Sequence, residues 1–243
     1  MKDKDLCDND MLKELNEELK RRYGFKLKFW FYPSSPISEK DREVVPLILN
    51  FAAKLHNVKN KIFLLSVLGV KGYDEAVPAL VEEYKSILLY KYNEPFDELL
   101  LLHLCDTVAK IESKKHFNLY VDLLTLPSTT ALESIIKMLE KMKILEAEEY
   151  IFNLIEKENI IPQAWIGSVN EDLKYWCSLC ALKYIIKRKD LKYYHFIQKF
   201  LHPEKLEWIQ FTSSRYTATH YLNCYKKYIS LASKGIALLE EYN

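Results

Sequence analysis

The chain has 243 residues, with 35 Lys+Arg against 34 Asp+Glu and a formal net charge of +1. Hydrophobic residues make up 49%, a share too high for intrinsic disorder and sufficient for a sizeable core. Only 5 glycines and 8 prolines are present, too few for the Gly-rich phosphate loops of nucleotide-binding α/β folds or for a turn-rich β-sandwich.

The opening Met1-Lys2-Asp3-Lys4-Asp5 is charged and lacks the apolar run of a signal peptide. The first helix is expected over Asp10 to Tyr23, capped by Asp8 or Asp10. Leu12, Leu15 and Leu19 lie on one face, and Gly24 supplies the stop. Phe25, Leu27, Phe29 and Phe31 then alternate through Phe25 to Tyr32 at the period of a strand. One strand cannot form a sheet. This segment reads either as an apolar arm lying on its own core or as a strand that pairs outside the chain. Pro33-Ser34-Ser35-Pro36 reads as a turn. Residues 1–37 are therefore read as an N-terminal helix and extended arm, and residues 38–243 as one helical domain.

From Ser38 onward the pattern is helical. Ser38 followed by Asp41 resembles a helix start, and Val44, Val45, Ile48, Leu49 and Ala52 form an apolar stripe. Helices are expected over Lys59 to Val70, Asp74 to Tyr90, Asp97 to Ile111, Lys114 to Leu124, Thr130 to Met142, Ala147 to Lys157, Glu171 to Lys187, Leu191 to Leu201 and Thr217 to Tyr242. Pro95, Pro127, Pro162 and Pro203 mark breaks. The helix through Leu99 to Leu104 is apolar nearly all round, which predicts burial on several sides. The longest apolar stretches run about nine residues, as in Ile62 to Val70, well below the roughly 20 needed to span a membrane. A cytoplasmic protein with no membrane contact is expected. The five cysteines are odd in number, lack the density of a disulfide framework and are expected to be reduced.

A helix end, a short turn and a helix start recur. The turns begin near residues 71, 112, 143 and 189, in Leu68 to Leu80, Val108 to Phe117, Lys141 to Tyr150 and Ile186 to Tyr194. Spacings of about 41, 31 and 46 bracket the roughly 40 residues of two-helix repeats. In the first copy, Leu68-Gly69-x-x-Gly72-x-x-Glu75-Ala76-Val77-Pro78-Ala79-Leu80 resembles the HEAT-like repeat of bilin-lyase-type and other bacterial HEAT proteins. Pro78 falls in the first helical turn, where its missing N–H costs least. The later copies lack the glycines and the proline. The resemblance implies an all-α fold: a right-handed α-α superhelix, or solenoid, of helix pairs. It also implies that a protein partner is held on the concave face. It names no catalytic residue and no cofactor.

Chemistry-bearing constellations are few. Cys177-x-x-Cys180 and His220-x-x-x-Cys224 share helical faces and together would offer a Cys₃His zinc set, but the cysteines sit mid-helix without the turns of a zinc knuckle and are read as buried apolar thiols, with no metal expected. No Gly-x-Ser-x-Gly, His-Glu-x-x-His or Gly-x-x-x-x-Gly-Lys occurs. His103, within a run of leucines, reads as a core residue. Glu82-Glu83 and Glu148-Glu149 read as solvated helix faces.

Charge and aromatics are uneven. Residues 160–243 carry 12 Lys+Arg against 7 Asp+Glu, whereas residues 1–159 carry 23 against 27. Tyrosine and tryptophan, favoured at binding hot spots, concentrate in the C-terminal part, where some must also fill the core. The candidate partner-binding residues are Trp165, Tyr175, Trp176, Lys187, Arg188, Tyr193, Tyr194, Arg215, Tyr221 and Tyr225. The expected function is a non-catalytic protein-interaction module, of adaptor or immunity-inhibitor type. The alternative is a nucleic-acid-binding HEAT-like protein resembling DNA glycosylases, supported by Lys187-Arg188-Lys189. Only 5 of the cations are arginine, the residue favoured for phosphate and base recognition. A bilin-lyase-like enzyme follows from the repeat resemblance alone.

Overall fold

The computed structural model describes residues 2–27, 37–88, 95–126, 131–156, 172–205 and 218–241. Among the described residues the chain forms α-helices joined by 3-10 turns and loops, with no strand. No helix among them is long and apolar enough to cross a membrane. The chain divides into two compact units, Met1–Tyr120 and Val121–Asn243.

In the first unit α1 (Lys2–Tyr23) packs on α2 (Val44–Lys54), and α2 on α3 (Val58–Ser66). Then α5 (Pro95–Ile111) lies against both α3 and α4 (Val77–Ser86). Burying Leu15 and Leu19 of α1 against Val44, Val45 and Ile48 of α2, all 0–1% exposed, contributes roughly 1.5–3 kcal/mol per side chain. Ser38 and Asp41 do start helical structure. The Asp41 carboxylate accepts from the Ser38 N–H and hydroxyl, both at 2.8 Å, but the turn they hold is a short 3-10 turn, and α2 begins at Val44. Pro78 sits in the first turn of α4, as its missing N–H dictates. The burial of α5 is broad rather than complete: Leu101 is 0% exposed and Leu99 39%. His103 on α5 is half-buried, its ring edge-on to Phe63 at 5.8 Å, and burial lowers its pKa.

The sequence reading of the N-terminus needs one correction. The first helix begins at Lys2, so Asp8 lies inside it and caps nothing there. Instead its fully buried carboxylate serves the start of another helix. It accepts the backbone N–H of His56 at 3.0 Å and of Asn57 at 2.8 Å, and the Asn60 amide at 3.4 Å. Asn57 is itself the cap of α3, accepting from the N–H groups of Lys59 and Asn60. Burial opposes ionisation of Asp8, but the two backbone donors outweigh it and hold its pKa below the ordinary 3.8. The contribution is complete above the unfolded value and is lost as pH falls through the lower folded value. Asp8→Asn turns one acceptor into a donor facing donors. It is expected to lower stability at neutral pH by about 1–3 kcal/mol. The gap from the unmodified chain should shrink below about pH 4. Urea midpoints at neutral and acid pH measure both.

Of Phe25 to Tyr32, residues 28–32 lie outside the described part. Residues 25–27 are non-helical, and Leu27 is buried. The Asn16 side chain accepts the Leu27 N–H at 2.7 Å and donates to its carbonyl at 3.2 Å, satisfying both backbone groups as a neighbouring strand would.

In the second unit α9 (Asp172–Arg188) packs against α7 (Leu132–Lys141) and α8 (Glu148–Glu156), and α11 (Ala218–Glu240) against α9 and α10 (Tyr194–Gln198). On α7, Leu132, Ile135, Ile136 and Leu139 keep the 3.6-residue period and are all buried. A chain of rings crosses the unit. Phe152 meets Tyr193 at 5.1 Å and Phe196 at 4.7 Å, Phe196 meets Phe200 at 5.3 Å, and Phe200 stacks on Tyr228 at 5.6 Å. The division between the units falls within α6 (Phe117–Thr125).

The four turns expected near residues 71, 112, 143 and 189 share a backbone device. Each holds one residue with positive φ: Gly72 (85°), Glu112 (52°), Lys143 (55°) and Lys189 (56°). After α7, Lys143 N–H bonds Glu140 C=O and Ile144 N–H bonds Leu139 C=O, a Schellman closure that buries Ile144 over Leu139. Three of the turns then enter the next helix through a 3-10 turn, at Asp74–Ala76, Leu145–Ala147 and Leu191–Tyr193. Left-handed backbone at Glu112, Lys143 and Lys189 costs about 1 kcal/mol each, which the closure offsets. Tyrosine hydroxyls finish three turn regions: Tyr73 donates to Ser38 C=O at 2.6 Å, Tyr120 to Ser113 at 2.8 Å, and Tyr184 to Ile144 at 2.7 Å.

Candidate functional site

The C-terminal residues singled out from the sequence do not form one surface. Trp165 and Arg215 lie outside the described residues, as do the side chains of Tyr175, Trp176 and Tyr221. Lys187, at the end of α9, pairs with Glu140 of α7. The Arg188 guanidinium lies 5.3 Å over the Tyr184 ring and 3.7 Å from the Glu148 carboxylate. Tyr193 is 7% exposed and donates its hydroxyl to Glu148 at 2.7 Å. Tyr194 is half-buried and donates to Glu240 of α11 at 2.9 Å, and Tyr225 is half-buried on α11. The structure thus gathers Arg188 and Tyr193 around Glu148 and places Tyr194 with α11.

Glu148 is the centre of that gathering, and the sequence reading of it as a solvated carboxylate is corrected by the packing of α8 on α9. Lys192 joins it at 2.6 Å. Burial opposes its ionisation, but Lys192 and Tyr193 hold its pKa down. Burial and the Glu148 charge push the Tyr193 hydroxyl up to about 12. Glu83 is likewise buried, at 5% exposure, on the face of α4 that turns inward, where Lys61 of α3 pairs with it. In the first unit the turns are tied in the same manner. Arg42 bonds Glu75 at 2.5 Å, and Lys115 bonds Asp74 at 2.8 Å. The Asp74 carboxyl is held below its usual range, first by Lys115.

No group of three His, Cys, Asp or Glu side chains is placed to hold a metal among the described residues. The side chains of Cys177, His220 and Cys224 lie outside them. Cys180 is buried, and burial beside Glu133 pushes its thiol up to about 12, which disfavours the thiolate.

A different site emerges between α9 and α11. The helices approach closely where Gly235 meets Ile186: a Cβ at Gly235 would lie 2.8 Å from Ile186 Cγ1. Towards the other end of this contact they leave a groove of about 320 Å³. It is lined by Leu179 and Lys183 of α9 and by Lys226, Lys227, Ser230, Leu231 and Lys234 of α11. Leu179 is buried and Leu231 half-buried, forming an apolar floor, and the four lysines are exposed around it. Among the described residues no carboxylate lines the groove. The sequence reading missed it because it looked to aromatics. The available signal was the spacing of Leu179 with Lys183 and of Lys227, Leu231 and Lys234, each set on one helical face.

Comparison with protein-family models, with curated proteins and with solved structures finds no match to this chain.

Proposed function

We propose that this protein is a non-catalytic protein-interaction module, built as a right-handed α-α superhelix of HEAT-like helix pairs that holds a partner protein. The supporting observation is the recurrence of one packing scheme. The first helix of a later pair lies against both helices of the pair before it: α5 on α3 and α4 in the first unit, α9 on α7 and α8 in the second. In the second unit α11 repeats the relation with α9 and α10. Helices that pack chiefly on their sequence neighbours, joined by turns of one backbone type, are what stacked two-helix repeats require. Such arrays offer extended surfaces rather than enclosed pockets, and extended surfaces suit macromolecular partners.

The expected result of affinity purification from the native cell is one protein recovered in fixed stoichiometry and resistant to nuclease. Recovery of nucleic acid in place of protein, or of no stoichiometric partner, would overturn the reading. The Lys187-Arg188-Lys189 cluster gives the nucleic-acid alternative little support, because Lys187 and Arg188 are engaged with Glu140 and Glu148.

A further inference from the structure

We propose that the groove between α9 and α11 docks an acidic amphipathic helical segment of a partner protein, its apolar side on Leu179 and Leu231 and its carboxylates on the surrounding lysines. This rests on the protein-interaction reading above and names the site and the chemistry of the partner.

The groove and such a helix are complementary in charge. Several lysines elsewhere in the chain are matched with acids: Lys61 with Glu83, Lys71 with Glu112, Lys115 with Asp74, Lys187 with Glu140 and Lys192 with Glu148. In the groove, Lys183, Lys226 and Lys234 form no ion pair among the described residues. Like charges collected around one concavity repel one another, and a bound anion removes that cost. A groove between two helices, with leucine at its floor and lysines at its rim, fits a helix that carries leucines on one face and glutamates on its flanks.

The same features disfavour a nucleic acid. Among the described residues the lining holds no arginine for bidentate phosphate contacts and no aromatic ring for base stacking. A sugar–phosphate chain also gains nothing from the Leu179 and Leu231 floor.

The test uses the full chain and three fluorescent probes, read by anisotropy. One is an amphipathic peptide of roughly 18 residues, with leucine at every third or fourth position and glutamate between. The second has lysine for each glutamate. The third is an oligothymidylate of roughly 20 nucleotides. The glutamate peptide is expected to bind roughly ten-fold or more tightly than the lysine peptide, and less tightly as salt rises. Combined Lys183→Glu, Lys226→Glu and Lys234→Glu should weaken it roughly ten-fold and raise affinity for the lysine peptide. The exposed positions should leave the circular dichroism and melting temperature unchanged. If the reversed chain melts early, the neutral pair Lys226→Gln and Lys234→Gln, with a smaller loss expected, takes its place. Affinity that ignores both sets, or an oligonucleotide that displaces the peptide, overturns the inference. If the reversed chain still recovers the same stoichiometric protein from the cell, the groove is not the docking site, while the interaction reading stands.

Discussion

Leu101→Asp is expected to unfold the unit Met1–Tyr120. Leu101 is 0% exposed on α5, the helix that packs against both α3 and α4. The substitution removes about 2–3 kcal/mol of apolar burial. It also places a carboxyl in a fully buried position, at a cost of several kcal/mol more. A total above about 5 kcal/mol approaches the whole stability of an ordinary domain. Leu99→Asp is the control. Its position on the same helix is 39% exposed, and a carboxylate there reaches water. That variant should stay within about 0.5–1 kcal/mol of the parent. Thermal melts followed by circular dichroism compare the two, and hydrogen exchange should place the Leu101→Asp loss within Met1–Tyr120. A cooperative, near-normal melt of Leu101→Asp would show that α5 does not carry this burial.

The contrast between Leu99 and Leu101 also marks what periodicity made legible. Apolar stripes located the helices, and the places where stripes stopped located the turns. The backbone at Glu112, Lys143 and Lys189 confirms those stops by its positive φ, although glutamate and lysine give no sign of it in the sequence. Only Gly24 and Gly72 signal the left-handed conformation directly. What stayed hidden depends on contacts between distant residues. Asp8 reads as a local cap because its residue type favours caps. It does accept from the backbone ahead of a helix, but that helix begins 50 residues later, at Val58. Glu83 and Glu148 read as solvated because carboxylates usually are; each lies where a second helix closes over it. The lysines of the α9–α11 groove sit on what looks, helix by helix, like an ordinary solvated face. A pattern along one helix does not tell which part of that face a neighbour turns into a concavity. The tyrosines pointed the other way. Tyr184 and Tyr193, attractive as surface anchors by residue type, direct their hydroxyls to Ile144 and Glu148 inside the unit.

Gly235 governs how α11 meets α9, and substituting it should produce the second large effect. Glycine inside a helix costs about 1 kcal/mol relative to alanine, so its presence in α11 calls for a packing reason. Ile186 supplies one: a Cβ at Gly235 would lie 2.8 Å from its Cγ1, 2.9 Å from Cδ1 and 3.2 Å from Cγ2. Ile186 is 5% exposed and β-branched, so it has little room to rotate away. Gly235→Val is therefore expected to cost about 1–3 kcal/mol through overpacking, despite the better helix propensity of the new residue. Ile186→Ala alone should cost about 2–5 kcal/mol through the cavity it leaves. In the double variant the valine fills part of that cavity, and the loss should fall short of the sum by about 0.5–3 kcal/mol. Denaturant unfolding of the four chains closes the cycle. Strict additivity would mean that the two residues do not touch. Because Lys234 adjoins Gly235, Gly235→Val should also displace the lysine edge of the groove and weaken the glutamate peptide, and the double variant should recover part of that affinity.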